Sequence, residues 1–239
     1  MKKLFLITAV IFSLGLGGLA AQEDTDANQA SVPAEENPSK KSFFSSIDFL
    51  LQFTPAVYIN PESTLVSAPS PIIYPLGIGF LFPKAARFAI QPTLSFFMMY
   101  HLWYDGMALP AEIENRTSQT ISFLLDIPAV FQIFASEKSR FQVQAGAALL
   151  MRFGILAGGV KESDSGYTGS AGSDMDEINS WFWQKARFLY FSLGGSWLYT
   201  FTDHLKAGPT LNVYLPVGSF ASGEGAQAMI ISLGLKLCI

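Results

Sequence analysis

Apolar and polar residues alternate along the end of the chain, up to its last residue. In the segment GAQAMIISLGLKLCI every second residue is apolar: Met229, Ile231, Leu233, Leu235, Leu237 and Ile239. From residue 232 onward, the residues between them are small or polar: Ser232, Gly234, Lys236 and Cys238. An alternation with a period of two predicts a β-strand with one apolar face. That face must contact something apolar.

The same alternation recurs through the chain from residue 43 onward. In 87–104 the even positions are apolar, except where Pro92 interrupts them, and several odd positions are polar. The repeated pattern predicts eight strands, at 45–59, 72–82, 87–104, 121–133, 141–155, 189–201, 205–217 and the terminal segment. Each is long enough to cross the hydrocarbon layer at a tilt, which takes about 9–11 residues.

The connections between these strands alternate in length. Short turns are predicted at 83–86, 136–139 and 202–204, and longer loops at 60–71, 105–118, 158–183 and 218–226. Strands joined this way run up and down, with turns at one end and loops at the other. Because lipid cannot satisfy an open sheet edge, the fold class predicted is all-β, an eight-stranded antiparallel up-and-down transmembrane β-barrel.

Composition separates this barrel from a soluble one with the same number of strands. Half of the residues are hydrophobic and only 14% are charged. A soluble barrel is apolar inside and charged outside, yet beyond residue 42 only Asp48 and Asp126 among the acidic residues fall within the predicted strands. Such a barrel would lack a hydrated exterior, so the apolar faces are expected to contact lipid.

The first 42 residues differ from the rest of the chain. Lys2 and Lys3 precede an apolar run that ends at Ala20 and Ala21, as in a cleaved secretory signal peptide over 1–21. A retained anchor helix is the alternative, but the run is short for a membrane span. The polar, acidic stretch 22–42 predicts a disordered periplasmic leader, and 43–239 forms the barrel domain.

Charge and motif content exclude several functions. The net charge is −4 and the basic residues are scattered, so nucleic acid is not an expected partner. Cys238 is the only cysteine and no Cys/His cluster has metal-ligand spacing. His101 has no nucleophile in a recognisable motif nearby. We therefore predict no enzyme activity and no catalytic, cofactor or metal site, and we interpret the Gly/Ser-rich loop 158–183 as solvated and mobile.

The alternating strands, the short-turn and long-loop pattern and the signal sequence resemble the small eight-stranded outer-membrane barrels, closest to the OmpW-like group, with the OmpX and OmpA-barrel types as relatives. The resemblance covers about 43–239, although the chain ends in Ile239 where such barrels usually end in an aromatic residue. It implies a bacterial outer-membrane protein with loops outside and both termini periplasmic. Membrane lipid and the outer-membrane assembly machinery are the implied partners, and passage of small hydrophobic molecules the implied role.

The interior of an eight-stranded barrel is only wide enough for side chains, so a general water-filled pore is not expected. Alternate positions near the loop end are apolar or aromatic, and five of them form a candidate site for a small hydrophobic ligand: Phe97, Met99, His101, Trp103 and Tyr214. A plugged interior explains the same residues equally well. The alternative function is then a structural or surface-interaction barrel whose loop 158–183 meets an extracellular partner.

Inward charges suggest two internal ion pairs. The short turn at 136–139 sets opposite residues to a sum near 276, which pairs Asp126 with Leu150 and places Arg152 on its diagonal. An Asp126–Arg152 pair is therefore predicted. Where the barrel closes, Asp48 is expected to meet Lys236, with Lys206 close by. We interpret both as neutralisation of buried charge, with gating as the alternative.

Prolines within the predicted strands remove ladder hydrogen bonds and can leave a local gap in the wall. Six lie there: Pro55, Pro75, Pro92, Pro128, Pro209 and Pro216. Two of them on neighbouring strands would favour a lateral opening, whereas bulges and strand ends explain single prolines.

Overall fold

The computed structural model describes residues 47–61, 65, 68–83 and 86–239. The predicted signal peptide and leader, at 1–21 and 22–42, lie outside the described residues. The strands are β1 (Asp48–Phe53), β2 (Ala56–Tyr58), β3 (Ile72–Ile73), β4 (Leu76–Leu81), β5 (Phe88–Ile90), β6 (Thr93–Tyr104), β7 (Met107–Pro110), β8 (Ser118–Ala135), β9 (Ser139–Leu156), β10 (Leu189–Thr202), β11 (Leu205–Pro216) and β12 (Ile230–Cys238). The helices are a 3₁₀ turn (Ile113–Asn115), α1 (Ala171–Trp183) and α2 (Val217–Ala221).

Eight of these strands form a closed antiparallel ring in the order β1-β4-β6-β8-β9-β10-β11-β12, and β1 pairs with β12 to close it. The ring confirms the predicted eight-stranded barrel. At the loop end β2 and β3 pair with each other beside β12, and β7 folds back on β6. At the turn end β5 continues the line of β6 along β8. No helix in the described part of the chain is long and apolar enough to span a membrane.

Prolines divide three of the predicted strands. Pro55 lies in the gap between β1 and β2, Pro75 between β3 and β4, and Pro92 between β5 and β6. Each lacks the N–H that a continuous ladder needs. The carbonyl of Pro75 still accepts a hydrogen bond from the Thr54 amide at 3.0 Å. Pro128 and Pro209 lie within strands that continue through them, and Pro216 is the last residue of β11.

The outer surface carries the apolar face that the alternation predicts. On β12, Leu233 and Leu235 are 65% and 64% exposed, whereas Ser232 and Lys236, on either side of them, are buried. Large apolar side chains are exposed in the same way around the ring, including Phe49, Ile78, Phe96, Ile127, Phe153, Phe191 and Leu211. A polar interior with an apolar outside is the arrangement of a barrel in lipid.

The pairing of β8 with β9 differs from the predicted register. Ser122 lies opposite Arg152 and Asp126 opposite Ala148, so opposite residues sum to 274 and not to 276. Next to the turn, Ala135 lies opposite Arg140, a sum of 275. An irregularity between Gln132 and Phe134 then shifts the register by one residue, to the sum of 274. A bulge of this kind adds a residue to one strand, which no alternation in sequence reveals.

The loop 158–183 is not the solvated, mobile segment that its composition indicates. Its second half forms α1, which begins after Ser170, whose side chain accepts a hydrogen bond from the Ser173 amide at 3.2 Å. Asp174 holds the preceding loop, since its carboxylate accepts hydrogen bonds from the Tyr167 and Thr168 amides, both at 2.8 Å. The interpretation as a mobile loop was wrong for this half, because α1 buries side chains against the barrel.

Candidate functional site

The turn end of the interior is polar and internally paired. Lys206 Nζ lies 2.8 Å from Asp48 Oδ2. The predicted pairing of Asp48 with Lys236 was wrong, because Lys236 lies opposite Gln52, four residues further along β1. Lys236 donates instead to the side-chain oxygen of Gln91. Lys206, and not Lys236, is therefore the partner of Asp48.

In the middle of the interior, Asp126 forms no salt bridge with any of the described residues. Ser192 Oγ donates to its carboxylate at 2.7 Å and the Tyr214 hydroxyl at 3.3 Å. The predicted Asp126–Arg152 ion pair was wrong: within the part of the chain that the structure describes, Arg152 has no salt bridge. Arg152 lies opposite Ser122 and not opposite Leu124, so it is two residues nearer to the loop end than the predicted register places it.

Above Asp126 the interior is filled by apolar and aromatic side chains. Phe97, Met99 and Tyr214, three of the five predicted lining residues, are buried in one cluster. Its other members are Ala56, Tyr58, Ile73, Leu124, Ala148, Leu150, Tyr190, Ala228 and Ile230. Since side chains from most walls meet here, the barrel axis is occupied at this level and is not a water-filled channel.

His101 and Arg152 lie at the top of this cluster, beneath α1. His101 Nδ1 is 2.7 Å from Thr120 Oγ1, and Arg152 donates to the Tyr58 hydroxyl at 2.9 Å. Phe182 of α1 covers both: its ring centre is 4.9 Å from the His101 ring and 4.2 Å from the Arg152 guanidinium carbon. His101 and Arg152 are wholly buried as a result.

Helix α1 closes the loop end of the barrel. Ile178, Trp181 and Phe182 form a buried cluster with Ala108 of β7, and Trp103, the fifth predicted lining residue, packs against this cluster. We call α1 the plug, and the cluster that contains Phe97, Met99 and Tyr214 the central cluster. Trp103 therefore contacts the plug and not the central cluster. The side-chain amide of Asn179 fastens α1 to β9 through hydrogen bonds with the Gly154 amide and carbonyl, at 2.8 and 2.9 Å.

A charged contact joins the segment after α1 to the last loop, which connects β11 with β12. Arg187 donates to both carboxylate oxygens of Glu224, at 3.0 Å through Nε, and its guanidinium lies 4.1 Å from the Trp181 ring centre. Lys185 lies 3.6 Å from the same carboxylate. Partial burial acts to raise the pKa of Glu224, but the hydrogen bond and charge of Arg187 outweigh it and hold that pKa below its usual value.

The wall has an interruption between β3 and β6. The ladder between β4 and β6 ends at Leu76 opposite Phe96, just before Pro75, and β3 pairs with β2. A groove of about 740 Å³ lies at this interruption. We call it the wall groove, and its lining is Pro69, Pro71, Ile72, Ile73, Tyr74, Met98, Met99, Tyr100, Ala111, Glu112, Ile113, Glu114 and Gln119.

The wall groove connects three environments. Glu112 and Glu114 lie exposed at its loop-end rim, and Tyr74 and Met98 lie on the outer face of the barrel. Ile73 and Met99, at its floor, are buried members of the central cluster. An apolar molecule in the groove would therefore contact the loop rim, the lipid-facing wall and the filled interior.

Sequence reasoning missed the residues of the plug and of the Arg187–Glu224 contact. Ile178, Trp181 and Phe182 have the three- and four-residue spacing of a buried helix face, and Ser170 is a favoured N-cap. These signals were present, but the Gly/Ser-rich first half of the loop outweighed them. Arg187 and Glu224 come from separate loops, and no local pattern relates them.

The closed ring, the apolar outer belt and the polar or filled interior define a small transmembrane β-barrel of the outer-membrane type. No protein-family profile matches the chain, and no curated protein matches it in sequence. Similar folds occur among solved structures. The assignment to this class rests on the ring and the belt of the chain itself.

Three solved outer-membrane barrels show the extent of the similarity. Neisserial surface protein A is 10% identical, with 82% of this chain and 97% of that chain covered and a TM-score of 0.47. OprG from Pseudomonas aeruginosa is 9% identical, with 80% and 95% covered and a TM-score of 0.45. Ail, the attachment invasion locus protein of Yersinia pestis, is 6% identical, with 80% and 95% covered and a TM-score of 0.44.

Proposed function

We propose that this barrel mediates passage of small hydrophobic molecules at the outer membrane, along the wall groove between β3 and β6 and not along the barrel axis. The observation that carries the proposal is the interrupted ladder above Leu76 and Phe96, with an apolar groove in its place. A molecule entering at the loop rim would descend along Met98 and Tyr74 into the lipid. Below the rim carboxylates Glu112 and Glu114 the path is lined mainly by apolar side chains, which keep the molecule out of water.

The proposal changes the role of the predicted lining residues. Met99 forms part of the groove floor, and Phe97 and Tyr214 support it from within the central cluster. His101 and Trp103 lie beneath or beside α1, away from the groove lining. Substitution of Met99 is therefore expected to affect passage more than substitution of Trp103.

Closing the groove tests the proposal. Extended by two residues, the β4–β6 register sets Tyr74 opposite Met98, and both side chains are exposed on the outer face. In a Cys238→Ala background, Tyr74→Cys with Met98→Cys allows a bis-maleimide to bridge the groove. We expect the bridge to abolish the barrel-dependent uptake of a small aromatic hydrocarbon by cells that otherwise lack the protein.

The matched control lies one step lower in the same ladder. Leu76 and Phe96 are opposite each other and exposed, so Leu76→Cys with Phe96→Cys places the same cross-link where the strands are already paired. Uptake should survive that cross-link. Equal uptake with and without the upper bridge, or in cells with no barrel at all, would contradict the passage proposal.

A surface-interaction barrel is the second candidate, and one observation favours it. The surface at the loop end exposes large apolar side chains, among them Ile113, Tyr167 and Phe220. Exposed aromatic residues are enriched in protein interfaces. If this surface binds an extracellular partner, Tyr167→Ser with Phe220→Ser should lower adhesion of barrel-bearing cells to a protein-coated support and leave uptake unchanged. A double substitution in the turn 136–139 is the control.

A further inference from the structure

Arg152 is a buried cation with no anion beside it. It is 0% exposed, and no carboxylate among the described residues lies within 4.0 Å of its guanidinium. It donates to the Tyr58 hydroxyl at 2.9 Å and to the Arg187 carbonyl at 3.1 Å, and its Nε has no partner among the described residues. Neutral acceptors satisfy only part of its hydrogen-bonding capacity. A buried charge of this kind is costly unless an opposite charge accompanies it.

The space next to Arg152 is filled by a side chain from the plug. We call the group of Tyr58, His101 and Arg152 the socket. Phe182 enters it from α1, with its ring 4.2 Å from the Arg152 guanidinium carbon and edge-on to His101. His101 Nε2 is also buried, with no hydrogen-bond partner in the part of the chain that the structure describes. The socket therefore holds two unpartnered polar atoms behind an aromatic ring that supplies only a cation–π contact.

We propose that the socket binds the carboxylate of a small hydrophobic monocarboxylate, and that Phe182 occupies the place of that ligand when α1 is closed. The planar fork of Arg152 matches a carboxylate, which would accept hydrogen bonds from it where Phe182 now lies. The apolar part of the ligand would pack where Phe182 and Trp181 pack. This inference goes beyond the proposed function, because the socket lies beneath α1, away from the wall groove, and its binding of a carboxylate does not depend on passage along that groove.

The charges around the socket select one negative charge. Near the plug, Arg187 is already neutralised by Glu224, and Lys185, which faces the same carboxylate, is 58% exposed to solvent. Lys206 and Lys236 lie at the opposite end of the interior. One carboxylate would balance Arg152. A phosphate or a dicarboxylate would bring a second negative charge into apolar surroundings, where it is strongly disfavoured.

The plug can leave without opening the ring. Helix α1 contacts the strands through side chains, including the Asn179 hydrogen bonds to Gly154, and contributes nothing to the ladders between strands. Lifting it therefore breaks side-chain contacts but no strand pairing. The ligand replaces the most buried of those contacts, since its carboxylate and apolar body take over the partners of Phe182.

Thiol accessibility beneath α1 tests the proposal. In the full chain with Cys238→Ala, Ile178→Cys places a thiol at a wholly buried position of α1. The probe is 3-phenylpropionate, and the matched neutral compound is 3-phenylpropanol. In detergent micelles we expect the carboxylate to raise the maleimide labelling rate at least about tenfold over the alcohol, as an added charged hydrogen bond implies. Ser180→Cys, exposed on α1, should label equally with both compounds.

Substitutions in the socket give the deciding outcomes. Arg152→Met should abolish the response to 3-phenylpropionate, Arg152→Lys should restore part of it, and Phe182→Ala should tighten binding because no ring competes. Calorimetric titration of the chain without introduced cysteines measures the same binding if Ile178→Cys does not fold. Equal binding of acid and alcohol, or binding retained in Arg152→Met, would overturn the proposal. Because both measurements are made on the protein in micelles and involve no transport, their failure leaves the uptake result untouched, and failed uptake leaves them standing.

Discussion

Lys206 Nζ donates a hydrogen bond of 2.8 Å to Asp48 Oδ2, and the two residues belong to the strands on either side of β12. The ion pair therefore crosses the interior face of the last strand, at the turn end where the ring closes. Both side chains are largely buried, at 13% and 10% exposed. The pair joins β1 to β11 across β12, beside the seam where the first and last strands of the barrel meet.

Lys206→Met should destabilise the barrel by about 2 kcal/mol, because it leaves the Asp48 carboxylate largely buried without its charged donor. The double variant Asp48→Asn, Lys206→Met should lose less than the single one, since no unpaired charge remains. Urea unfolding in micelles, followed by tryptophan fluorescence, measures both. A double variant less stable than Lys206→Met would show that the ion pair does not explain the loss.

A close approach between β10 and β11 requires a glycine at position 208. A Cβ on Gly208 would lie 1.7 Å from the Trp197 carbonyl oxygen, so Gly208→Ala forces the two backbones apart. We expect a loss of about 3 kcal/mol in the same unfolding experiment. Gly158→Ala is the control, because a Cβ there meets nothing within 4 Å, and it should change stability by less than about 0.5 kcal/mol. Similar losses for both variants would contradict the steric argument.

The alternation was sufficient to predict the barrel because one physical requirement, an apolar outside and a closed ladder, applies to every strand. It placed Leu233 and Leu235 outside and Lys236 inside, as found. It could not set the cross-strand partners of Asp126, since the irregularity after Gln132 moves the register without changing which residues face inward. The predicted ion pairs depended on the partners, whereas the fold depended only on the faces.

The candidate site was predictable only in part, for a related reason. Inward positions such as Phe97 and Met99 follow from the alternation, and the six prolines of the predicted strands, Pro75 among them, were positions where a ladder could fail. The wall groove opens beside Pro75. The packing at the loop end of the barrel follows from contacts between segments that are distant in sequence. Phe182 contacts Arg152, and Arg187 contacts Glu224, and no periodicity in the sequence relates these residues.

Position along the membrane normal predicts different costs for charge on the same outer face of β12. Leu233 lies near the middle of the strand and Ile239 directly follows its last residue, and both are well exposed. Leu233→Arg should destabilise the folded barrel by about 3 kcal/mol in lipid vesicles, and Ile239→Arg by about 1 kcal/mol or less. Reversible unfolding from vesicles measures both. Equal costs would place the two residues at the same depth and contradict the membrane position assigned to β12.

The contact between Arg187 and Glu224 predicts a pH dependence with a definite sign. The folded-state pKa of Glu224 lies below its usual value, because Arg187 outweighs the opposing effect of partial burial. The stabilising contribution is therefore complete above the unfolded-state pKa, about 4.3, and is lost as the pH falls through the lower folded-state pKa. Pepsin cleavage in 217–229, compared between Glu224→Gln and the wild type at each pH from 5.5 to 3, checks the sign: the rate ratio should be well above one at the upper end and approach one on acidification. A ratio independent of pH would mean that the Glu224 charge does not hold the last loop to α1.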